Sequence, residues 1–279
     1  MNELHLQSSQ MTTFMQCPRK WYYTYAKWRS IPPNAAMQKG TCFHLLCELH
    51  FKDNIAFEDL SAAVEERNPE LCVHLAETLP ALLHYKAHYS DSPYTFVELD
   101  GETAIELEFK IALTDSIFYH GKFDSLRERD GKQYIFDWKV TKMSPTDWYF
   151  KPFQQAYQTF SYSFAARECF SDCNGFFIDA IQIKNGSHNF ARRYFPLLNI
   201  YDEFVAELIR TGEWIQQHLH DENYFEHRYT ACVSKYGSLC EFAPVCTSRP
   251  DARPDILASD LYVDNKPIYD FSEGGKSEV

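Results

Sequence analysis

The stretch "FYHGKFDSLRERDGKQYIFDWKV", residues 118–140, restricts the fold more than any other stretch of the chain. Asp130-Gly131 at its centre tolerates positive φ at both positions, which makes a two-residue hairpin turn between two apolar strands. A symmetric turn there pairs Arg129 with Lys132, and by extension Asp124 with Asp137 and Lys122 with Lys139. Alternation then puts these last four charges on one face, and Phe123, Phe136 and Trp138 on the other. Two carboxylates directly across a strand pair stand about 5 Å apart at Cβ and repel. Two arrangements relieve that repulsion: a ladder of compensating charges from Lys122 and Lys139, or a divalent cation held by hard oxygen ligands. The pattern alone leaves both open.

The segments around this hairpin read as a mixture of helices and strands. Ser8 or Ser9 starts a helix carrying Met11, Phe14 and Met15 at helical spacing, with Cys17 near its end. "MQKGTCFHLLCELHF" is a second helix, with Phe43, Leu46, Cys47 and His50 on one side and His44 nearby. Residues 56–90 are helical with breaks expected at Pro69 and Pro80. "ETAIELEFKIAL" alternates as a half-buried strand, with Glu106, Glu108 and Lys110 on its polar side. A helix over about 154–168, a hairpin turning at Asn185-Gly186 and an amphipathic helix in "YDEFVAELIRTGEWIQQHL" follow. The expected class is α/β, more closely mixed α+β, with helices packed on a mixed sheet.

Bulk properties exclude some functions. With 27 basic against 39 acidic residues, the net charge of -12 rules out coating long nucleic acid by charge alone. A phosphate-bearing substrate must be held locally, by metal or a small basic patch. The first residues carry no basic region leading into an apolar one, and no uncharged apolar run reaches the roughly 18 residues that span a membrane. The expectation is a soluble, cytoplasmic protein. Nine cysteines without a secretory leader argue against a disulfide framework.

"GKFDSL" followed by "YIFDWKV" resembles the signature of the PD-(D/E)XK nuclease superfamily, in which an Asp and a later Asp/Glu-x-Lys lie on neighbouring strands. Further motifs of its RecB-like exonuclease branch occur in order. "GTCFH" is similar to Gly-x-x-x-His, and "QTFSY" to Gln-x-x-x-Tyr, with Gln158 and Tyr162 one helical turn apart. Gln154 in "QQAYQ" offers a competing register for that glutamine. "SSQMTTFMQCPRKWYY" resembles the branch's opening helix and its Cys-Pro-basic-basic-aromatic run. The resemblance implies a restriction-endonuclease-like central mixed sheet flanked by helices. It also implies one nuclease domain over residues 1–249, in which residues 1–100 are mainly helical, 101–198 form the sheet core and 199–249 hold a C-terminal helix and the cysteines. Residues 250–279 are expected as a polar, partly disordered tail.

In that family His44, Asp124, Asp137 and the carbonyl of Trp138 would hold Mg²⁺ or Mn²⁺, with Lys139 as the catalytic cation and Gln158 and Tyr162 supporting it. Arg19, Lys20 and Tyr22 either contact a DNA strand or, with Trp21 and Tyr23, belong to the core. Cys232, Cys240 and Cys246 need a fourth ligand to hold tetrahedral zinc or an iron-sulfur cluster, and Cys17 can supply it. Thiolate ligation alone does not choose between these metals. RecB-like nucleases of recombination helicases and of CRISPR adaptation place one cysteine before and three after the nuclease motifs, around a 4Fe-4S cluster. The implied activity is metal-dependent DNA exonuclease action on single strands or duplex ends, in a bacterial or virus-infected cell. Recombination or CRISPR-adaptation proteins are the implied partners. The alternative is a non-catalytic DNA-binding or assembly module with the same fold. Neither reading fixes an oligomeric state.

Overall fold

The computed structural model describes residues 3–27, 29–233 and 237–264. Its main elements in chain order are β1 (Leu4–Leu6), α1 (Ser8–Gln16), α2 (Ala35–Cys47), α3 (Leu75–His88), β2 (Ile105–Ala112), β3 (Ile117–Arg129), β4 (Lys132–Thr141), α4 (Tyr157–Cys169), β5 (Cys173–Lys184), β6 (Ser187–Pro196) and α5 (Tyr201–His218). The chain forms two compact units and passes between them repeatedly. One comprises Met1–Pro32, Lys110–His120 and Asp202–Val279; the other comprises Pro33–Phe109 and Gly121–Tyr201.

The second unit is built on a mixed sheet in which β3, β4, β5 and β6 are neighbours in that order. Both predicted hairpins form. Asp130 (φ 53) with Gly131 (φ 72), and Asn185 (φ 51) with Gly186 (φ 76), take the left-handed conformations that let a two-residue turn follow the strand twist. Strands β4 and β5 are parallel, pairing Trp138 with Asp179 and Lys139 with Ala180, so a crossover must join them. That crossover carries α4.

Helices α2 and α3 cover one face of this sheet. Phe43, Leu46, Leu82 and Tyr85 form a buried cluster there with Ile105, Trp138, Ile181 and Ile183. Burying a side chain of this size contributes roughly 1.5–3 kcal/mol. On the other face Tyr162 of α4 lies against Phe123 and Phe176, each ring pair 5.6 Å apart. Pro69 interrupts the helical stretch as expected. Pro80 does not: it sits inside α3, one and a half turns from its start, so little of the helix depends on the lost hydrogen bond.

In the first unit β1 runs parallel to the start of β3, pairing Leu4 with Ile117 and Leu6 with Tyr119. Helix α1 is preceded by Gln7 rather than capped by Ser8 or Ser9, and the Gln7 side chain instead reaches His120 at 3.2 Å. An aromatic core follows. Trp21 stacks on Phe225 at 5.6 Å, and Phe242 stacks on Tyr262 at 5.2 Å. Residues 250–264 add a short helix, Arg253–Leu257, and a strand, Val263–Asp264, that pairs with Arg29–Ser30. The remainder of the expected tail, 265–279, lies outside the described residues. Among the described residues no helix is long and apolar enough to cross a membrane.

Candidate active site

The β3–β4 pairing follows the predicted register from Arg129–Lys132 to Ser125–Phe136. At the next position a side chain replaces the backbone. The Trp138 amide donates to the Asp124 carboxylate at 2.6 Å. This departure corrects one expectation about faces: Phe123 packs with Phe109, Tyr162 and Phe170 instead of sharing the Trp138 side. Alternation fails because the strand is irregular at Asp124 itself.

Around the Trp138 peptide the predicted residues gather. His44 of α2 places Nε2 3.0 Å from the Trp138 carbonyl and Nδ1 3.7 Å from Asp124. Glu106, which alternation assigned to the polar side of β2, also reaches His44 Nδ1 at 3.2 Å. Among the described residues, His44, Glu106 and Asp124 are the one set of three such ligand groups whose atoms lie within 4.8 Å of one another. Glu106 has φ 52, a left-handed conformation that costs a non-glycine residue about 1–2 kcal/mol. No sequence signal announced it, because an irregular strand residue is indistinguishable from a regular one by period. Lys122, expected opposite Lys139, instead pairs with Glu106 at 3.0 Å.

Asp137 stands beside this group, 1 % exposed. Its Oδ1 accepts from Lys139 Nζ at 2.7 Å, Gln158 Nε2 at 2.9 Å and Tyr162 OH at 2.7 Å. Gln158 therefore fills the predicted glutamine position, and Gln154 lies elsewhere, on the wall of a separate cavity. Asp137 Oδ2 is buried and faces the Lys139 ammonium at 2.6 Å. Behind the strand, Trp138 Nε1 donates to Tyr85 OH at 3.0 Å, Tyr85 donates to Asp179 at 2.5 Å, and Arg192 grips Asp179 with two bonds of 2.6 and 2.8 Å. This network fixes the indole, and with it the peptide whose two ends serve the site.

Charge controls the protonation of these groups. Burial opposes a charged imidazole, but Asp124 and Glu106 outweigh it and hold His44 up at about 9. Burial raises Asp124, the His44 charge notwithstanding. Burial also works against a charged Lys139, yet Asp137 and Asp124 overcome it and shift the lysine upward. Lys139 is thus an ammonium at neutral pH, able to donate and to neutralise but not to accept a proton. Burial and the adjacent Asp137 keep Tyr162 a phenol.

Arg19, Lys20 and Tyr22 lie outside this constellation. Tyr22 is buried against Phe225, and Arg19 is buried with its guanidinium bonded to the Phe225 carbonyl at 2.6 Å and Glu222 at 3.0 Å. Lys20 pairs with Glu241 at 2.8 Å. Arg19 and Tyr22 are therefore core residues and not an open platform for a DNA strand, and Lys20 is half-buried in its ion pair.

The four predicted cysteine ligands all belong to the first unit. Cys17 is buried, and Cys240 donates its amide to the Cys232 carbonyl at 2.8 Å. Burial pushes the Cys246 thiol up to about 12, reinforced by Cys240, Cys17 and Cys232.

An Asp on one strand, an Asp-x-Lys on its neighbour and a helical histidine thus converge around one peptide of a mixed sheet. The sequence matches the PD-(D/E)XK nuclease superfamily over residues 5–247, and the chain belongs to that family. A crystal structure of a candidate exonuclease from Eubacterium rectale is similar, with a TM-score of 0.50 and 12% identity over 79% of this chain and 81% of that one. At that identity the likeness speaks for the fold. The crystal structure of SSO0001 gives a TM-score of 0.36 and 10% identity over 77% and 78% of the two chains, too distant to carry an argument. No curated protein matches the sequence.

Proposed function

We propose that the protein is a divalent-metal-dependent DNA exonuclease of the RecB-like branch, with a 4Fe-4S cluster in its first unit. The observation that carries the activity is the convergence of His44, Asp124 and the Trp138 carbonyl one residue from Asp137 and Lys139. The donors suit a hard cation: one imidazole against several oxygens. His44, Asp124, Glu106, Asp137 and the Trp138 carbonyl are the residues that would hold Mg²⁺ or Mn²⁺. A bound cation would supply Lewis acidity toward a phosphoryl oxygen and a more acidic attacking water.

The chain's own groups do the rest. Lys139 offers a fixed positive charge to an oxygen that gains charge as the phosphodiester breaks. Gln158 and Tyr162 hold Asp137 from the side of α4, so that Lys139 and Asp137 keep one geometry. Tyr85, Asp179 and Arg192 lock Trp138 from behind.

The motif order and the cysteine arrangement support the RecB-like reading. A cationic iron-sulfur core would stabilise the four cysteines as thiolates, including Cys246, whose thiol burial otherwise keeps protonated.

The test is digestion of 5′- and 3′-labelled DNA, single-stranded and blunt, with Mn²⁺ or Mg²⁺. Loss of label from the ends is expected, and Lys139→Ala should slow it about 100- to 1000-fold with DNA binding retained. Intact DNA that the protein still binds would reject catalysis in favour of a binding module.

A further inference from the structure

The segment between the catalytic strand and α4 borders a second feature of the same unit. Residues 147–159 and 193–198 line a cavity of about 650 Å³, whose walls include Trp148, Lys151, Thr159, Arg193 and Tyr194. Trp148 is 74% exposed and Tyr194 45% exposed. Leaving an indole that far in water forgoes much of the stabilisation its burial would give, and no fold requirement at this turn demands it. Lys151 Nζ lies 5.4 Å from the centre of the Trp148 ring, and Arg193 stacks its guanidinium over Phe150 at 5.4 Å while bonding Asp147. The lining thus carries two cations against one carboxylate, in a chain whose net charge is -12.

This cavity adjoins the cleavage residues along the chain. Tyr149, between Trp148 and Phe150, is within electrostatic reach of Lys139. Thr159 of the cavity wall follows Gln158, which holds Asp137.

We infer that the Trp148 cavity binds unpaired nucleotides of the DNA strand adjoining the scissile phosphate, with Trp148 and Tyr194 stacking bases and Lys151 and Arg193 meeting the backbone. The inference rests on the nuclease reading above and deepens it. Exposed aromatics beside cations bind single strands without reading sequence, since every base has a π-face. Paired bases in a duplex cannot present that face to the indole. The site therefore makes single-stranded DNA, or a duplex frayed at its end, the preferred substrate form.

The experiment measures binding of fluorescein-labelled oligo(dT) and of a blunt duplex of equal length by anisotropy, with EDTA present to prevent cleavage. Trp148 is exposed, so Trp148→Ala should melt at the wild-type temperature. One stacked base lost should weaken single-strand binding roughly 5- to 150-fold. Duplex binding should change by less than about twofold, and Trp148→Phe should recover most of the loss. A 2-aminopurine probe moved along the strand should be quenched at one position in wild type and not in Trp148→Ala. Equal single-strand affinity in wild type and variant, or no single-strand binding at all, overturns the inference. Trp148-dependent binding by a protein that never cleaves DNA would sustain it while rejecting the nuclease reading; cleavage indifferent to Trp148 would do the reverse.

Discussion

Uptake of a divalent cation at His44 should depend steeply on pH, and the structure sets the size of the effect. A metal ligand must be neutral imidazole, so the ion competes with the proton that Asp124 and Glu106 stabilise on His44. With that proton held up to about 9, all but about 1% of His44 is protonated at pH 7. Displacing it opposes binding by about 2.7 kcal/mol at pH 7, a deficit that shrinks tenfold in affinity per pH unit and vanishes above pH 9. Titration calorimetry with Mg²⁺ in buffers of different ionisation enthalpy should therefore report about one and a half protons released per ion at pH 7, nearly one from His44 and about half of one from Asp124, which burial raises to about 7. An unperturbed histidine near 6.5 would release only about a quarter of one. Glu106→Gln should lower both the proton count and the pH slope, because one of the two carboxylates that raise His44 is gone. An affinity that is flat from pH 7 to 9 would remove His44 from the ligand set.

Two further tests address the first unit. Cys240→Ser should abolish the visible absorbance of aerobically sensitive, brown protein and lower the soluble yield; a colourless wild type containing stoichiometric zinc would refute the cluster. His120 is buried, and burial together with His5 and Lys110 depresses it to about 3, so it folds neutral. The unfolded chain then binds a proton below pH 6.5 that the folded one refuses, and stability falls with falling pH, by about 2 kcal/mol at pH 5. Urea melts of His120→Asn should lose this acid slope between pH 6.5 and 5, and an unchanged slope would assign it to other groups.

The hairpin register was legible because Asp130-Gly131 and Asn185-Gly186 each offer the only local residues at ease with positive φ at both turn positions. His44, Asp137, Lys139, Gln158 and Tyr162 were named from their likeness to the family's motifs, and the structure brings them together around the Trp138 peptide and Asp137. Glu106 was not, since its left-handed backbone turns the side chain off the face that alternation assigns. Phe123 failed because the Asp124 side chain, not its backbone, takes the next bond from Trp138 and ends the regular pairing. Arg19 and Tyr22 failed differently: basic and aromatic composition describes a binding surface and a buried core equally well, and only the positions of Phe225 and Glu222, some 200 residues away, decide between them.

If Cys17 and the three later cysteines hold the proposed cluster, their placement before and after the active-site residues bears on how the protein is made. About 230 residues separate Cys17 from Cys246. At roughly 5–20 residues per second, a ribosome needs about 10–45 s to deliver the last cysteine after the first. Throughout that interval the segment holding the catalytic strands can already be folding, whereas the first unit still lacks most of its chain. Cluster insertion would be a closing step of biogenesis, and iron starvation should leave a protein with its nuclease strands formed and its two chain ends unjoined.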